Sequence, residues 1–325
     1  MGEKKSLKLS VDLGYSGVKW FYIDEEGQER MGKFPSVAKE YTDFANNGLA
    51  LGASNLYEFN NRFYYIGDEA VEYDTELNRK SSLLVEFSPL FIYKVIKDNK
   101  LDGYDIQLVT GLSLKDWNDK TLKELNSVIT TAVVNGEKVL NQNIKILPQG
   151  RGLAYDYFRN KKEEGNILVF DIGYNTFDLI HINKGVTSPR TSFANEMGVH
   201  CVVDRIRQHL LNNKIDWSSS EINDLLVENK LIFKVNGKPI DITEVYKESV
   251  VDYIKQLNLK CVSEIKPLME RADILLFGGG GAYILKQLKR KEIADIFQRE
   301  EIDFVSEPYE FSNARGYYFR ELREE

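Results

Sequence analysis

Two aspartates end short apolar segments of the sequence, and each is followed by a turn of small polar residues. Asp12 follows Leu9-Ser-Val, and Asp171 follows Leu168-Val-Phe. An unpartnered carboxylate at the end of a buried strand is costly, so each of them needs an interaction partner. A shared Mg²⁺, held mostly through water as this cation prefers, would explain both. The alternative is that each carboxylate accepts hydrogen bonds from the backbone of its own turn.

The turns after the two aspartates have the composition of phosphate-binding loops. Phosphate oxygens bind where backbone N–H groups converge and no large side chain intervenes. Such residues are Gly14, Ser16, Gly17 and Lys19 in the first turn, and Gly173, Asn175 and Thr176 in the second. One Asp-x-Gly turn is common and is weak evidence by itself. Two at equivalent places predict a pair of tips that hold one triphosphate from both sides.

Four consecutive glycines, Gly278–Gly281, follow a predicted buried strand and precede a predicted helix. Such a run would let a ligand approach the backbone closely at a helix N-terminus. Neither a G-x-G-x-x-G fingerprint nor a P-loop lysine is present, which disfavours a Rossmann dehydrogenase and a P-loop NTPase. A strand-to-helix turn that tolerates glycine would account for one or two of the four, so we expect a ligand here.

Gln149 lies in the segment Leu147–Gly152, after a predicted strand and at the start of a predicted helix. Its amide could orient a water molecule against a terminal phosphate without acting as a strong base. The alternative is an ordinary residue of the first helical turn. The three histidines share no metal-ligand spacing, and neither H-E-x-x-H nor G-x-S-x-G occurs. A metalloprotease or a serine hydrolase is therefore not supported.

The elements that would position these residues repeat in the two halves of the chain. Leu9–Ile23 and Leu168–Ile180 each combine an apolar segment, a glycine-containing turn and a second β-prone segment. Each predicts a β-hairpin with a small polar tip. Alternating predicted strands and helices follow in both halves, which indicates sheets covered by helices on both faces. The predicted class is α/β, with a duplicated domain.

The length of 325 residues also predicts two domains. The predicted boundaries are 1–164 with a small subdomain at about 36–82, 165–310 with a small subdomain at about 195–245, and 311–325 for a helix that returns to the first domain. A hairpin is predicted near Phe63–Ile66. Another is predicted at Asn236-Gly237, because this dipeptide favours a tight hairpin turn.

Composition and charge limit the possible functions. Hydrophobic residues make up 42% and charged residues 29%, which excludes a disordered or low-complexity protein. The two cysteines, Cys201 and Cys261, exclude a disulfide framework and a four-cysteine zinc site. The net charge of −7 opposes direct binding to nucleic acid. No apolar run suits a signal peptide or a membrane span, so a cytoplasmic location is expected.

Taken in order, these segments resemble the actin-like superfamily, which also contains sugar kinases and heat-shock chaperones. The matching segments are Asp12–Lys19, Pro148-Gln149 with Ala154, Asp171–Asp178, Phe277–Gly281 and Ser312–Tyr317. The ParM group of plasmid-segregation actins and the small archaeal actin-like proteins are the most similar branch. That similarity lies in Phe34–Ser36, Tyr65–Ala70, the Pro-Gln-Gly sequence and Asn195–Gly198. The implied actin-like fold has two duplicated RNase H-like α/β domains flanking a nucleotide cleft.

The resemblance implies a role for each matching residue. Asp12 and Asp171 would hold Mg²⁺ partly through water, and Gln149 would position the attacking water. These three are the predicted catalytic residues. The predicted nucleotide-binding residues are Gly14, Tyr15, Ser16, Gly17, Lys19, Gly173, Tyr174, Asn175, Thr176, Glu196, Gly198, Gly278, Gly279, Gly280 and Gly281.

The function implied by the resemblance is an ATPase that forms filaments with bound nucleotide and disassembles after hydrolysis. ATP and Mg²⁺ are the expected cofactors, with GTP also possible. The expected partners are further copies of the chain and an adaptor protein bound to DNA, without direct contact to nucleic acid or membrane. Two alternatives from the same superfamily stay open: a small-molecule kinase of the sugar-kinase type, and a chaperone-like regulatory module that binds ATP.

Overall fold

The two predicted hairpins lie in different structural units of the chain. The computed structural model describes residues 4–42, 56–71, 81–140, 144–160 and 165–320. Unit 1 comprises Met1–Arg159 and Asn313–Glu325, and unit 2 comprises Asn160–Ser312. Each unit has its own sheet and its own apolar core. None of the helices in the described ranges combines the length and the hydropathy that a membrane span requires.

Unit 1 is built from short strands and a few helices. Its strands are β1 (Ser6–Leu13), β2 (Val18–Ile23), β3 (Glu29–Phe34), β4 (Ala38–Glu40), β5 (Tyr57–Phe59), β6 (Arg62–Ile66), β7 (Asp105–Leu112), β8 (Val133–Val134), β9 (Glu137–Lys138) and β10 (Lys145–Pro148). Its helices are α1 (Asp68–Val71), α2 (Ser81–Asp98), α3 (Asp119–Thr131), α4 (Arg151–Tyr157) and α9 (Ser312–Arg320), with a 3₁₀ turn at Leu114–Asp116.

Unit 2 contains the remaining described elements. Its strands are β11 (Asn166–Ile172), β12 (Phe177–Asn183), β13 (Val186–Thr187), β14 (Phe193–Asn195), β15 (Ile232–Val235), β16 (Lys238–Asp241), β17 (Ile274–Gly278) and β18 (Ile302–Phe304). Its helices are α5 (His200–Asn212), α6 (Ser219–Val227), α7 (Thr243–Arg271) and α8 (Arg290–Phe297), with 3₁₀ turns at Pro189–Thr191, Ala282–Gln287 and Tyr309–Phe311.

The main sheets of the two units follow the same plan. In unit 1 the strand order is β10-β7-β1-β2-β3, and in unit 2 it is β13-β12-β11-β17-β18, with β14 also paired to β12. In both sheets the first two strands form an antiparallel hairpin, β1–β2 or β11–β12. The first strand of each hairpin pairs in parallel with a later strand, β7 or β17. That strand pairs in parallel with one more, β10 or β18. The repeated order and directions confirm the predicted duplication.

Matching registers place the predicted site residues at equivalent points of the two hairpins. Asp12 of β1 pairs with Lys19 of β2, and Asp171 of β11 pairs with Asp178 of β12. The inner strands are buried along most of their length because the sheets pack against helices. Each hairpin tip is thereby held at the end of a rigid pair of strands.

Two smaller sheets lie outside this repeat. The hairpin of β5 and β6 turns at Asn60 and Asn61, and that of β15 and β16 turns at Asn236 and Gly237. All four turn residues have positive φ, the conformation that a two-residue type I′ turn requires. Both predicted hairpins are confirmed. Residues 43–55 and 72–80 of the predicted first insertion lie outside the described residues.

Local contacts set where helices begin in the structure, and one helix start differs from the prediction. The segment after β7 contains a 3₁₀ turn followed by α3, which begins after Asn118 because its side chain accepts the Thr121 N–H at 3.0 Å. The glycine run is followed by the 3₁₀ turn Ala282–Gln287, and the next α-helix begins only at Arg290. The expectation of an α-helical N-terminus directly after the glycines is therefore wrong.

Candidate functional site

The first tip, Gly14–Gly17, joins β1 to β2 and is closed by its own backbone. The Gly14 N–H donates to the Gly17 carbonyl at 3.2 Å. The Ser36 hydroxyl donates to the Gly14 carbonyl at 2.5 Å, which attaches the tip to the segment after β3. The backbone of this tip is therefore held on both sides before any ligand binds.

Asp12 lies at the base of the first tip with only 4% of its surface exposed. Gln149 Nε2 donates to Asp12 Oδ1 at 2.9 Å, and Lys19 Nζ lies 4.0 Å from Asp12 Oδ2. Burial raises the pKa of the Asp12 carboxyl, while the Lys19 ammonium and the Gln149 hydrogen bond oppose that rise. Lys19 and Gln149 are therefore the groups that favour the charged form of Asp12 in the structure.

The structure brings Gln149 next to Asp12, which sequence spacing could not show. Its backbone N–H donates to the Leu112 carbonyl at 2.9 Å, and its side-chain Nε2 also donates to the Leu13 carbonyl at 3.0 Å. With Nε2 used in this way, Oε1 is the side-chain atom that can accept a hydrogen bond from water. The amide is thus oriented by unit 1 itself.

The second tip, Gly173–Thr176, joins β11 to β12 and is braced by the start of α5. The Gly173 N–H donates to the Thr176 carbonyl at 2.8 Å. Val199 and His200 donate their N–H groups to the carbonyls of Gly173 and Tyr174, each at 3.0 Å. This bracing leaves no space for a side chain at Gly198, where a Cβ would lie 2.2 Å from the Tyr174 carbonyl oxygen.

The other predicted residues around the second tip have separate positions. Thr176 Oγ1 donates to Asp178 Oδ2 at 3.3 Å, which links the tip to β12. Asn175 is half-buried, and Glu196 is exposed in the segment before α5. Asp171 is 7% exposed at the end of β11, where it pairs with Gly278 of the neighbouring strand β17. The second tip therefore also has a buried aspartate at its base.

Two of the four glycines are explained by packing inside unit 2. Gly279 has a φ of +92°, and a Cβ there would lie 2.1 Å from Asp171 Oδ1. Gly281 donates its N–H to the Ile172 carbonyl at 2.7 Å, and its Cβ would lie 2.3 Å from Val199 Cγ2. Packing thus accounts for two of the four glycines, and a ligand at this run stays a prediction. Gly280 has space for a side chain, with Glu310 Cβ as its nearest neighbour at 3.6 Å.

This difference predicts opposite results for two alanine variants. Gly279→Ala should lower the thermal midpoint by several degrees, because its φ and its contact with Asp171 both exclude a side chain. Gly280→Ala should leave the midpoint of the ligand-free protein nearly unchanged. Scanning fluorimetry of both variants tests the packing account, and equal destabilisation would contradict it.

The donor set in each unit fits a cation held mainly through water. Among the described residues, no group of three or more His, Cys, Asp or Glu side chains is placed to hold a metal ion. The first tip instead has one buried carboxylate at its base, Asp12, and the second has two, Asp171 and Asp178. Hard oxygen ligands in small number suit Mg²⁺, which keeps most of its water shell.

Several polar residues around the first tip were missed by the sequence analysis. The Gly150 N–H donates to Asn313 Oδ1 at 3.0 Å, so α9 supports the segment that carries Gln149. Tyr15 OH donates to Asp116 Oδ2 at 3.1 Å. The motif Ser312–Tyr317 was a signal for the first of these contacts. Nothing in the sequence around Asp116 indicated the second.

Duplicated sheets that carry matching hairpin tips define the chain as an α/β protein with an actin-like architecture. Residues 10–152 match the family model for the N-terminal domain of actin-like proteins, and residues 169–290 match the model for the C-terminal part of archaeal MreB-like actin homologues. The two models match different parts of the chain and together span most of it, so the chain belongs to the actin-like proteins. No curated protein sequence matches it.

Solved structures of actin-like proteins superpose over nearly the whole chain. An archaeal actin homologue, Ta0583 in complex with ADP, has a TM-score of 0.72 and 16% identity, covering 98% of this chain and 99% of that one. A ParM filament from Clostridium botulinum has a TM-score of 0.69 and 18% identity, covering 98% and 99%. The actin-like protein Alp7A has a TM-score of 0.73 and 15% identity, covering 98% and 97%. The predicted actin-like fold is confirmed.

Proposed function

We propose that this chain is an actin-like ATPase that assembles into filaments when it binds nucleotide. The observation that carries the proposal is the repeated arrangement of Asp12 and Asp171. Each is buried at the end of the first strand of a hairpin, directly before a tip of small polar residues. Two buried carboxylates at equivalent points of the duplicated sheets favour a common ligand.

ATP with Mg²⁺ is the ligand that we propose, with both tips contacting the phosphates of one nucleotide. The nucleotide found in Ta0583, which shares the fold, is ADP. Asp12 and Asp171 would hold Mg²⁺ and its water ligands, and the bound cation would neutralise phosphate charge. Backbone N–H groups of the tips, the Ser16 and Thr176 hydroxyls and Lys19 would contact the phosphates.

Gln149 would position the water that attacks the terminal phosphate. Its Nε2 is held by Asp12 and the Leu13 carbonyl, so the amide keeps one orientation. Its Oε1 can accept a hydrogen bond from water. An amide orients water in this way without acting as a strong base. Slow hydrolysis suits a polymer that must persist before it disassembles.

Filament formation is proposed from the resemblance to ParM, for which the structure of a 15-stranded filament from Clostridium botulinum is known. Hydrolysis would weaken contacts between copies by changing the populations of two conformations. Transport of plasmid or other DNA through an adaptor protein is the cellular role that we propose. The net charge of −7 favours such indirect attachment over direct DNA binding.

Sedimentation of the purified protein tests the proposal. With ATP and Mg²⁺ the chain should pellet at high speed, and electron micrographs of the pellet should contain filaments. With ADP, or with ATP and a chelator, it should stay in the supernatant. Absence of assembly across a range of salt and temperature would contradict the filament function. ATP consumption stimulated by a sugar would favour the kinase alternative.

A further inference from the structure

Tyr15, in the middle of the first tip, belongs to a hydrogen-bonded group that we call the Asp116 cluster. Its members are Tyr15, Ser113 and Asp116. Tyr15 OH donates to Asp116 Oδ2 at 3.1 Å, and Ser113 Oγ donates to the same oxygen at 2.9 Å. The Tyr15 ring packs against the core of unit 1. Asp116 ends the 3₁₀ turn Leu114–Asp116 that follows β7, so the cluster joins two distant parts of the sequence.

A small cavity lies behind the tip, next to this cluster. Its volume is about 20 Å³, and its lining includes Leu13, Tyr15, Ser113, Asp116 and Gln149. That volume is room for one water molecule. The hydrogen bond to Asp116 fixes the Tyr15 hydroxyl beside this space, in addition to the Ser36 hydrogen bond that holds the Gly14 carbonyl.

We propose that Asp116 is a positioning residue for nucleotide binding, which holds the first tip at the phosphate through Tyr15. This inference rests on the proposed function. Hydrogen bonds to a carboxylate are stronger than those between neutral groups, so two hydroxyl donors on one oxygen give a firm anchor. Tyr15 is bonded to Gly14 and Ser16, so a shift of Tyr15 also displaces these two residues. A displacement of about 1 Å in such a contact can cost as much as a hundredfold in activity.

The alternative is that the Asp116 cluster only stabilises unit 1. The two roles differ in how substitutions combine. If Asp116 acts on the nucleotide through Tyr15, removing either partner should weaken binding, and removing both should weaken it no further. If the role were purely structural, the substitutions would lower the thermal midpoint. Their effects on nucleotide affinity would then not be coupled.

Calorimetric titration with Mg·ADP, which avoids assembly, measures this coupling. Asp116→Ala and Tyr15→Phe should each weaken binding by about tenfold, and the double variant should match the single ones. Asp116→Asn should stay within about threefold of the wild type, because its amide oxygen still accepts from the Tyr15 hydroxyl. Asp119→Asn, a change in the first turn of α3, is the matched control and should bind like the wild type.

The outcomes separate this inference from the proposed function. Wild-type protein that does not bind Mg·ADP contradicts the proposed function. Wild-type protein that binds, with unchanged affinity in Asp116→Ala or fully additive losses in the double variant, overturns the role of Asp116. If Asp116→Ala fails to fold, Tyr15→Phe and Asp116→Asn carry the test, because both keep the shape of the replaced side chain.

Discussion

Replacing Asp12 and Asp171 together with asparagine should reduce ATP turnover by at least about a thousandfold. Removing one preorganised electrostatic partner of a reacting group typically costs about 10²- to 10³-fold. In the proposed site these carboxylates are the protein groups that hold Mg²⁺ and its water ligands. Asparagine keeps the size of aspartate and still offers an oxygen, but it lacks the negative charge. Phosphate release measured with saturating ATP and Mg²⁺ checks the expected loss.

Asp12→Asn should change the thermal midpoint of the ligand-free protein by no more than a few degrees. Burial raises the pKa of this carboxyl, so its charged form costs stability, and asparagine removes that cost. The asparagine oxygen can still accept the hydrogen bond from Gln149. The change also removes the carboxylate 4.0 Å from the buried Lys19 ammonium, which offsets the gain. A variant that is stable but inactive would assign the charge of Asp12 to function.

A matched control is available on the exposed surface of each unit. Asp119 lies in the first turn of α3, and Asp204 is exposed on α5. The double change of these two residues to asparagine removes the same charge and should leave turnover unchanged. Turnover that survives the change at Asp12 and Asp171 would contradict the proposed site.

Arg315→Met should lower the free energy of unfolding by about 3–5 kcal/mol, because it breaks a buried ion pair. Arg315 of α9 and Asp156 of α4 are each only 3% exposed. Arg315 Nη2 donates to Asp156 Oδ2 at 2.7 Å, and Arg315 Nε contacts both carboxylate oxygens at 3.0 and 3.1 Å. The pair joins the two helices next to the segment that carries Gln149.

The matched control for this prediction is a surface pair with the same separation. Arg205 Nη1 lies 2.7 Å from Asp252 Oδ2, but both side chains are substantially exposed. Arg205→Met should cost less than about 1 kcal/mol, because exposed ion pairs contribute little. Urea unfolding of the ligand-free proteins measures both effects. Similar urea midpoints for the two variants would show that burial does not increase the contribution of the Arg315–Asp156 pair to stability.

The local part of the fold could be predicted because its signals lie within short segments. The hairpins at both tips and the strand before the glycine run follow from apolar segments and turn residues. The duplication followed from the repeated Asp-x-Gly pattern. The glycine run was only partly understood, because composition does not reveal that Asp171 and Val199 occupy the space beside Gly279 and Gly281.

Contacts between distant segments could not be predicted from the sequence. The hydrogen bond from Gln149 to Asp12 and the Asp116 cluster each join positions about a hundred residues or more apart. No periodicity or turn preference encodes such a pair, since sheet order decides which strand ends become neighbours. The β1–β7–β10 order brings the ends of these strands to one edge of the sheet. That juxtaposition places Gln149 beside Asp12 at the base of the first tip.

Binding stoichiometry measured by calorimetry tests most directly whether two tips serve one ligand. The account predicts one Mg·ADP per chain, with affinity lowered by Ser16→Ala in the first tip and also by Thr176→Val in the second. Binding that survives both changes, a second equivalent of nucleotide, or no heat of binding at all would contradict it.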